Sequence, residues 1–217
     1  DVAPDGAVTR VTYGLLNLNH HRGHDQPQAL PVNESLQVTI PLNPMAQRFC
    51  EGHRIRLSIS TSYWPICWPS PRPVNFKVDE QGSRLQLPQL KYQLAEIDIV
   101  DQPEGAPPLI TERLQNRDYK WRVTRDLGTD FSNLHVLKNE GRYYLPSVDT
   151  EVARFTEENY SYSFNDYKSV KGQVNTLREF RHHQSDWQTH IKTRTQLTSD
   201  QDFFYIEADL DAWEKKR

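Results

Sequence analysis

Apolar and polar residues alternate along much of the chain, the pattern that a β-strand produces when one of its faces is buried. The alternation is clear over residues 36–42 and 55–59, and again over residues 204–212 near the end of the chain. In the last stretch the apolar side chains fall on one face and the acidic side chains on the other. This sequence shows no long stretch with the 3.6-residue period of a helix. The pattern therefore predicts an all-β fold.

The first hundred residues contain five or so short alternating segments joined by long connections, which is typical of an antiparallel sandwich or jelly roll. The predicted strands are residues 8–18, 36–42, 55–59, 74–78 and 85–87. Residues 101–108 are too rich in proline and glycine for regular structure and are interpreted as a linker.

Beyond the linker the alternating segments are longer and more polar. Those at 174–182, 187–197 and 203–213 predict a β-meander. We therefore predict a jelly-roll core over residues 1–100, a linker at 101–108, and a β-rich extension over 109–217 that packs on the same sandwich.

Residues 58–71 begin as an alternating strand and end in an aromatic loop interrupted by prolines. Two of the five tryptophans and three of the fourteen prolines lie in these fourteen residues. Such rings serve as contacts between domains, plug the end of a sandwich core, or stack on sugars, and the residues alone leave all three readings open. The predicted contact residues are Tyr63, Trp64, Pro65 and Trp68.

The charge and cysteine content exclude several partners. The net charge of −3 over 217 residues gives no field that would recruit nucleic acid or an anionic membrane. No apolar run approaches a membrane span, and no signal peptide is present. Cys50 and Cys67 are expected to be free thiols in a reducing cytoplasm. The chain begins at Asp1 without Met, so we expect a piece of a longer polypeptide.

Two groups of residues resemble metal ligands. Residues 20–24 contain three histidines, but no carboxylate or thiolate follows at a diagnostic spacing, which favours a solvated loop over a zinc site. Glu207, Asp209 and Asp211 share one face of a predicted strand and offer oxygen ligands for calcium. A solvated acidic face is the simpler reading, so we predict neither a metal nor a cofactor.

A catalytic group within this chain is not expected. Ser185 and Asp186 lie near His182 and His183, but no nucleophile elbow or oxyanion hole accompanies them. Adjacent histidines in a strand point to opposite faces, so this pair is interpreted as structural.

Several short motifs follow one another in an order that resembles a known family. They occupy residues 1–6 (DVAPDG), 14–18 (GLLNL), 52–60 (GHRIRLSIS) and 64–65 (WP). Residues 1 to about 78 resemble the C-terminal, non-catalytic β-domain of the CocE/NonD hydrolases. That family includes X-Pro dipeptidyl-peptidases, cocaine esterase and α-amino-acid ester hydrolases.

The resemblance implies a jelly-roll sandwich of the galactose-binding-like type without catalytic residues. It also leads us to expect that the core over residues 1–100 lacks the first strands of that sandwich. In that family the Ser-Asp-His triad belongs to a separate α/β-hydrolase domain, and this sequence contains no Gly-x-Ser-x-Gly motif. The expected function is an accessory domain that braces the hydrolase domain of the same parent chain and shapes substrate access, with Tyr63, Trp64, Pro65 and Trp68 at the contact.

The resemblance also leaves homo-oligomer formation open. The alternative, from a different functional class, is a carbohydrate-binding module that uses Tyr63, Trp64 and Trp68 as its stacking surface.

Overall fold

The computed structural model describes residues 1–72, 74–90, 101–164 and 166–215. The chain divides into two compact units, Asp1–Ser60 and Thr61–Arg217. The domain boundaries drawn from the sequence stay a prediction.

The second unit contains one antiparallel sheet of seven strands. They are β1 (Glu112–Arg113), β2 (Asp118–Asp126), β3 (Phe131–Leu145), β4 (Thr150–Ser163), β5 (Asp166–His182), β6 (Gln188–Ser199) and β7 (Phe204–Lys215). The six long strands β2 to β7 pair in chain order, and the short β1 pairs with β3 beyond the end of β2. The described residues contain two short 3₁₀ turns and no α-helix. The all-β prediction is confirmed, and the three predicted meander segments correspond to β5, β6 and β7.

The strand register explains why these sequences form a sheet. Directly paired residues point to the same side, and one row across the sheet joins Tyr160, Gly172, Leu197 and Ile206. The same side carries most of the apolar side chains of β2 to β7, and we call it the apolar face. It includes Trp121, Val123, Val136, Val152, Tyr160, Val170, Val174, Leu197, Ile206 and Leu210.

The core of the sheet unit lies on the apolar face of the central strands. Among the described residues its buried hydrophobic side chains are Val136, Val152 and Val170, which come from β3, β4 and β5. By contrast, every residue of β2 and β7 is exposed. Apolar burial is therefore concentrated in the middle of the sheet.

A β-bulge between Asn139 and Gly141 interrupts the register of β3 with β4. Gly141 has a φ of 69°, and the backbone N–H groups of Leu114 and Gln115 both donate to the carbonyl of Arg142, at 2.9 and 3.0 Å. The bulge thus accommodates the segment between β1 and β2, which runs along the edge of β3 and approaches it closely at this glycine.

The first unit differs from the prediction. Its paired backbone consists of isolated bridges from Val2 to Val8 and to Arg54, and Val2 is its buried residue. Among the described residues, the predicted strands up to residue 90 do not form ladders, and Ile55, Leu57 and Ile59 are each more than half exposed. Alternation shows which side chains can share a buried face, but a strand also needs a neighbour to pair its backbone. The jelly-roll arrangement is therefore not confirmed.

Candidate functional site

The aromatic loop, which we define as residues 61–72, belongs to the same compact unit as the sheet. A turn at Trp64–Ile66 reverses the chain, and the backbone N–H of Cys67 donates to the carbonyl of Tyr63 at 3.0 Å. The peptide between Trp64 and Pro65 is cis. The turn directs both tryptophans of the loop toward the apolar face of the sheet.

Trp68 anchors the aromatic loop where β6 ends and β7 begins. Its indole Nε1 donates a hydrogen bond to the Ser199 hydroxyl at 2.7 Å. Its ring meets Phe204 edge to face, with centroids 5.6 Å apart and planes at 73°. The apolar body of the indole is thus packed while its one donor is satisfied, which is the arrangement that stabilises a half-buried tryptophan.

Trp64 packs beside Trp68 on the sheet. The two rings are 4.9 Å apart at 86°, and Trp64 also meets the Tyr160 ring edge to face at 6.0 Å. The Trp64 Nε1 is buried and has no acceptor among the described residues. A cavity of about 270 Å³ lies between the loop and the sheet, and its walls include Pro65 and Leu197.

Gly172 lies beside these rings in the middle of β5. A Cβ built on it would lie 3.4 Å from the Tyr160 ring and 4.0 Å from the Trp68 ring. A Cβ here would be in ordinary van der Waals contact with both rings, so the glycine lets the rings lie against the strand but is not required by them. A glycine inside a strand often marks such a close approach.

One ion pair lies beside the aromatic cluster. Glu158 accepts hydrogen bonds from Lys138 Nζ at 2.7 Å and from the Tyr160 hydroxyl at 3.0 Å. The bond from Lys138, followed by that from Tyr160, lowers the pKa of Glu158. Burial, followed by the bond to Glu158, raises the pKa of Tyr160. At neutral pH the carboxylate is therefore charged and the phenol neutral.

A pH dependence of stability follows from the lowered pKa of Glu158. Because the unfolded carboxyl has the higher pKa, the contribution of Glu158 is complete above about pH 5 and is lost as the pH falls through the folded pKa. Replacing Glu158→Gln should cost about 1 kcal/mol at pH 7, and the difference from wild type should shrink below about pH 4. Urea denaturation across this pH range measures it, with Glu207→Gln at an exposed position as the control. A difference that does not vary with pH would contradict the assignment.

The four predicted contact residues, Tyr63, Trp64, Pro65 and Trp68, are all half-buried. The tryptophans make packing contacts within their own unit, and because their planes are nearly perpendicular they do not form a coplanar platform for a sugar. The geometry favours packing over sugar stacking. A contact between domains through this loop stays a prediction.

The residue at the tip of the loop that faces outward was not among the predicted contacts. Ile66 is 51% exposed and follows directly on Pro65. Periodicity does not show which way a turn points, so the sequence pattern carried no signal for it.

A second polar cluster, on the face opposite the aromatic loop, was also missed. His183 bonds Glu151 at 2.5 Å and stacks on the Tyr144 ring, with centroids 4.6 Å apart and planes at 8°. Arg142 donates hydrogen bonds to both Glu151 and Glu179 and so links the two carboxylates. These residues come from β3, β4, β5 and the loop after β5, so only the strand register brings them together.

The residues considered for catalysis and metal binding have other partners. The Ser185 hydroxyl accepts the backbone N–H of Trp187 at 3.4 Å, and His20 and His24 share one hydrogen bond between their Nδ1 atoms at 3.0 Å. Arg194 pairs with Asp209 at 3.1 Å and with Glu207 at 3.6 Å. Within the described ranges, no three His, Cys, Asp or Glu side chains are placed to hold a metal ion.

The described chain is thus an all-β structure whose most distinctive feature is an aromatic loop packed on a sheet. Residues 1–103 match the family model of the X-Pro dipeptidyl-peptidase C-terminal non-catalytic domain. This part of the chain is similar to that domain family. No curated protein and no solved structure gives a significant match. Among the described residues, no helix has the length and apolar character needed to cross a membrane.

Proposed function

We propose that the chain is the accessory C-terminal region of a serine hydrolase of the CocE/NonD type, which acts on peptide, amide or ester bonds of small acyl substrates. The chain braces the α/β-hydrolase domain of the same parent protein and shapes substrate access. The aromatic loop forms the contact. The observation that carries the proposal is the match of residues 1–103 to a domain family that is itself non-catalytic.

The geometry of the loop supports this role. Trp68 and Trp64 hold the loop on the sheet. Because the loop is already ordered, binding a partner costs less conformational entropy. Ile66 then lies at the tip as a fixed apolar contact. A preformed aromatic anchor with an apolar tip is the kind of surface that concentrates binding energy between domains. We place the protein in the cytoplasm, because both of its cysteines are free.

The absence of catalysis is tested on residues 1–217 directly. We expect no turnover of p-nitrophenyl esters, and no labelling by a fluorophosphonate probe, which reacts with the activated serine of a hydrolase whatever its substrate. An unrelated active serine hydrolase serves as the positive control. Labelling of any serine in this chain, traced by mass spectrometry, would contradict the proposal.

The docking role is tested by Ile66→Asp. An aspartate at the loop tip would bury an unpaired charge against the hydrolase domain, so binding of that domain should weaken by about tenfold or more. Val148→Asp is the matched control, since Val148 is 56% exposed in the same unit and outside the loop. Isothermal titration calorimetry with the separately purified α/β-hydrolase domain compares them. Equal affinities for the two variants would place the contact elsewhere.

A further inference from the structure

The sheet ends in two long strands whose outer edges are open. Among the described residues, β2 pairs only with β3, and β7 pairs only with β6. β2 has 9 residues and β7 has 12, and all of them are exposed. Open edges of this length present rows of backbone donors and acceptors that another strand can pair with.

The centres of the two edges carry opposite charges on the face away from the aromatic loop. On that face β2 presents Lys120 and Arg122 at its centre and Asp118 and Asp126 at its ends. The β7 strand presents Glu207, Asp209 and Asp211. Like charges directly across a strand pair repel, so β7 with its three acidic residues is unsuited to pair with a second β7, whereas the centre of β2 offers it basic partners. The pairing that the charges favour is β7 with β2.

The two edges also carry matching exposed apolar side chains on the apolar face. Trp121 and Val123 on β2 are 73% and 71% exposed, and Ile206 and Leu210 on β7 are 72% and 69% exposed. These large apolar side chains lie at the two opposite edges of the sheet. Pairing of the two edges would remove them from water, which is favourable.

We propose that β7 of one molecule pairs with β2 of a second copy, so that the sheet continues from molecule to molecule. The six long strands alternate in direction, so β7 of one copy and β2 of the next run antiparallel with their apolar faces on the same side. The contact is head-to-tail, and it closes into a ring or extends as a filament according to the rotation between copies.

The charges also select a register. Placing Arg122 opposite Asp209 sets Lys120 opposite Asp211 and Trp121 opposite Leu210, because antiparallel partners step in opposite directions. Two neighbouring registers keep the same faces together. One sets Lys120 opposite Asp209 but Asp118 opposite Asp211, and the other sets Arg122 opposite Asp211 but Asp126 opposite Glu207. The first register is therefore the proposed one.

Charge reversal tests the proposal, which is independent of the proposed function. Lys120→Glu with Arg122→Glu reverses the β2 edge, and Asp209→Lys with Asp211→Lys reverses the β7 edge. Either pair alone should weaken self-association by about tenfold or more at low ionic strength, and the chain with all four changes should recover it. A control with Asp25→Lys and Glu34→Lys matches the charge change of the β7 variant and should associate like wild type. Sedimentation velocity up to the solubility limit compares the four variants with wild type. Circular dichroism shows whether each variant is folded.

Cross-linking tests the register by a second route. With Cys50 and Cys67 replaced by serine, Val123→Cys with Ala208→Cys should form disulfide-linked ladders, because these residues are opposite in the proposed register. Thr124→Cys with Ala208→Cys should not, because Thr124 lies on the other face. A wild-type protein that stays monomeric over the whole range, a fourfold variant that fails to recover association, or equal cross-linking in both cysteine pairs would overturn the proposal.

Discussion

Replacing Trp68→Ala should lower the free energy of unfolding of the sheet unit by about 2–3 kcal/mol, because it removes a half-buried ring and one hydrogen bond. The ring contact with Phe204 and the bond to Ser199 are both lost. Trp121→Ala is the control, since Trp121 is 73% exposed on the same face and should cost under about 1 kcal/mol. Urea denaturation at low protein concentration measures both. Equal losses for the two tryptophans would mean that the loop is not packed on the sheet.

Two further substitutions separate the hydrogen bond from the ring contact. Trp68→Phe keeps an aromatic ring beside Phe204 but removes the donor, and Ser199→Ala removes the acceptor. Each should cost about 1 kcal/mol, and the double variant should cost less than their sum, because the two changes remove one shared bond. Additive losses would show that the bond does not contribute to stability.

Replacing Gly141→Ala should destabilise the sheet unit by at least about 2 kcal/mol, because the new Cβ has no room and the backbone has a positive φ. The added Cβ would overlap the backbone oxygens of both Gln115 and Asn116. Backbone atoms cannot move aside as a flexible side chain can, so the contact of the β1–β2 connection with the edge of β3 should loosen.

The matched control for that variant is Gly105→Ala. Nothing lies within 4 Å of a Cβ at Gly105, so this change should stay within about 0.5 kcal/mol of wild type. Hydrogen exchange of Leu114 and Gln115, whose N–H groups donate to Arg142, reports on the contact between the β1–β2 connection and β3. Unchanged protection in Gly141→Ala would contradict the close approach.

The strands β5 to β7 could be predicted from the sequence, because each strand of the meander pairs with its neighbour in the chain. Local alternation then predicts both the strand and the face, as it does for Ile206 and Leu210 of β7. In the first half, alternation over residues such as 55–59 identified extended segments but could not supply their pairing. That depends on partners distant in the chain.

The aromatic loop was recognised from its composition, but its contacts were not. Nothing local connects Trp68 to Ser199, which lies 131 positions away, or Trp64 to Tyr160. The position of Gly172 beside these rings also depends on register, since a lone glycine in a strand equally indicates a bulge. The sequence predicts that Trp64 and Trp68 contact a partner. In the structure they pack on the sheet of their own unit and hold the loop in place.

Hydrogen exchange of residues 61–72 is the most direct test of the claim that this loop docks on a hydrolase domain. It compares residues 1–217 alone with the same chain after addition of the α/β-hydrolase domain of the parent protein. We expect slower exchange in the aromatic loop when the domain is present, and no change in peptides from β2. Unchanged exchange in the loop, under conditions where the two proteins bind, would contradict the account.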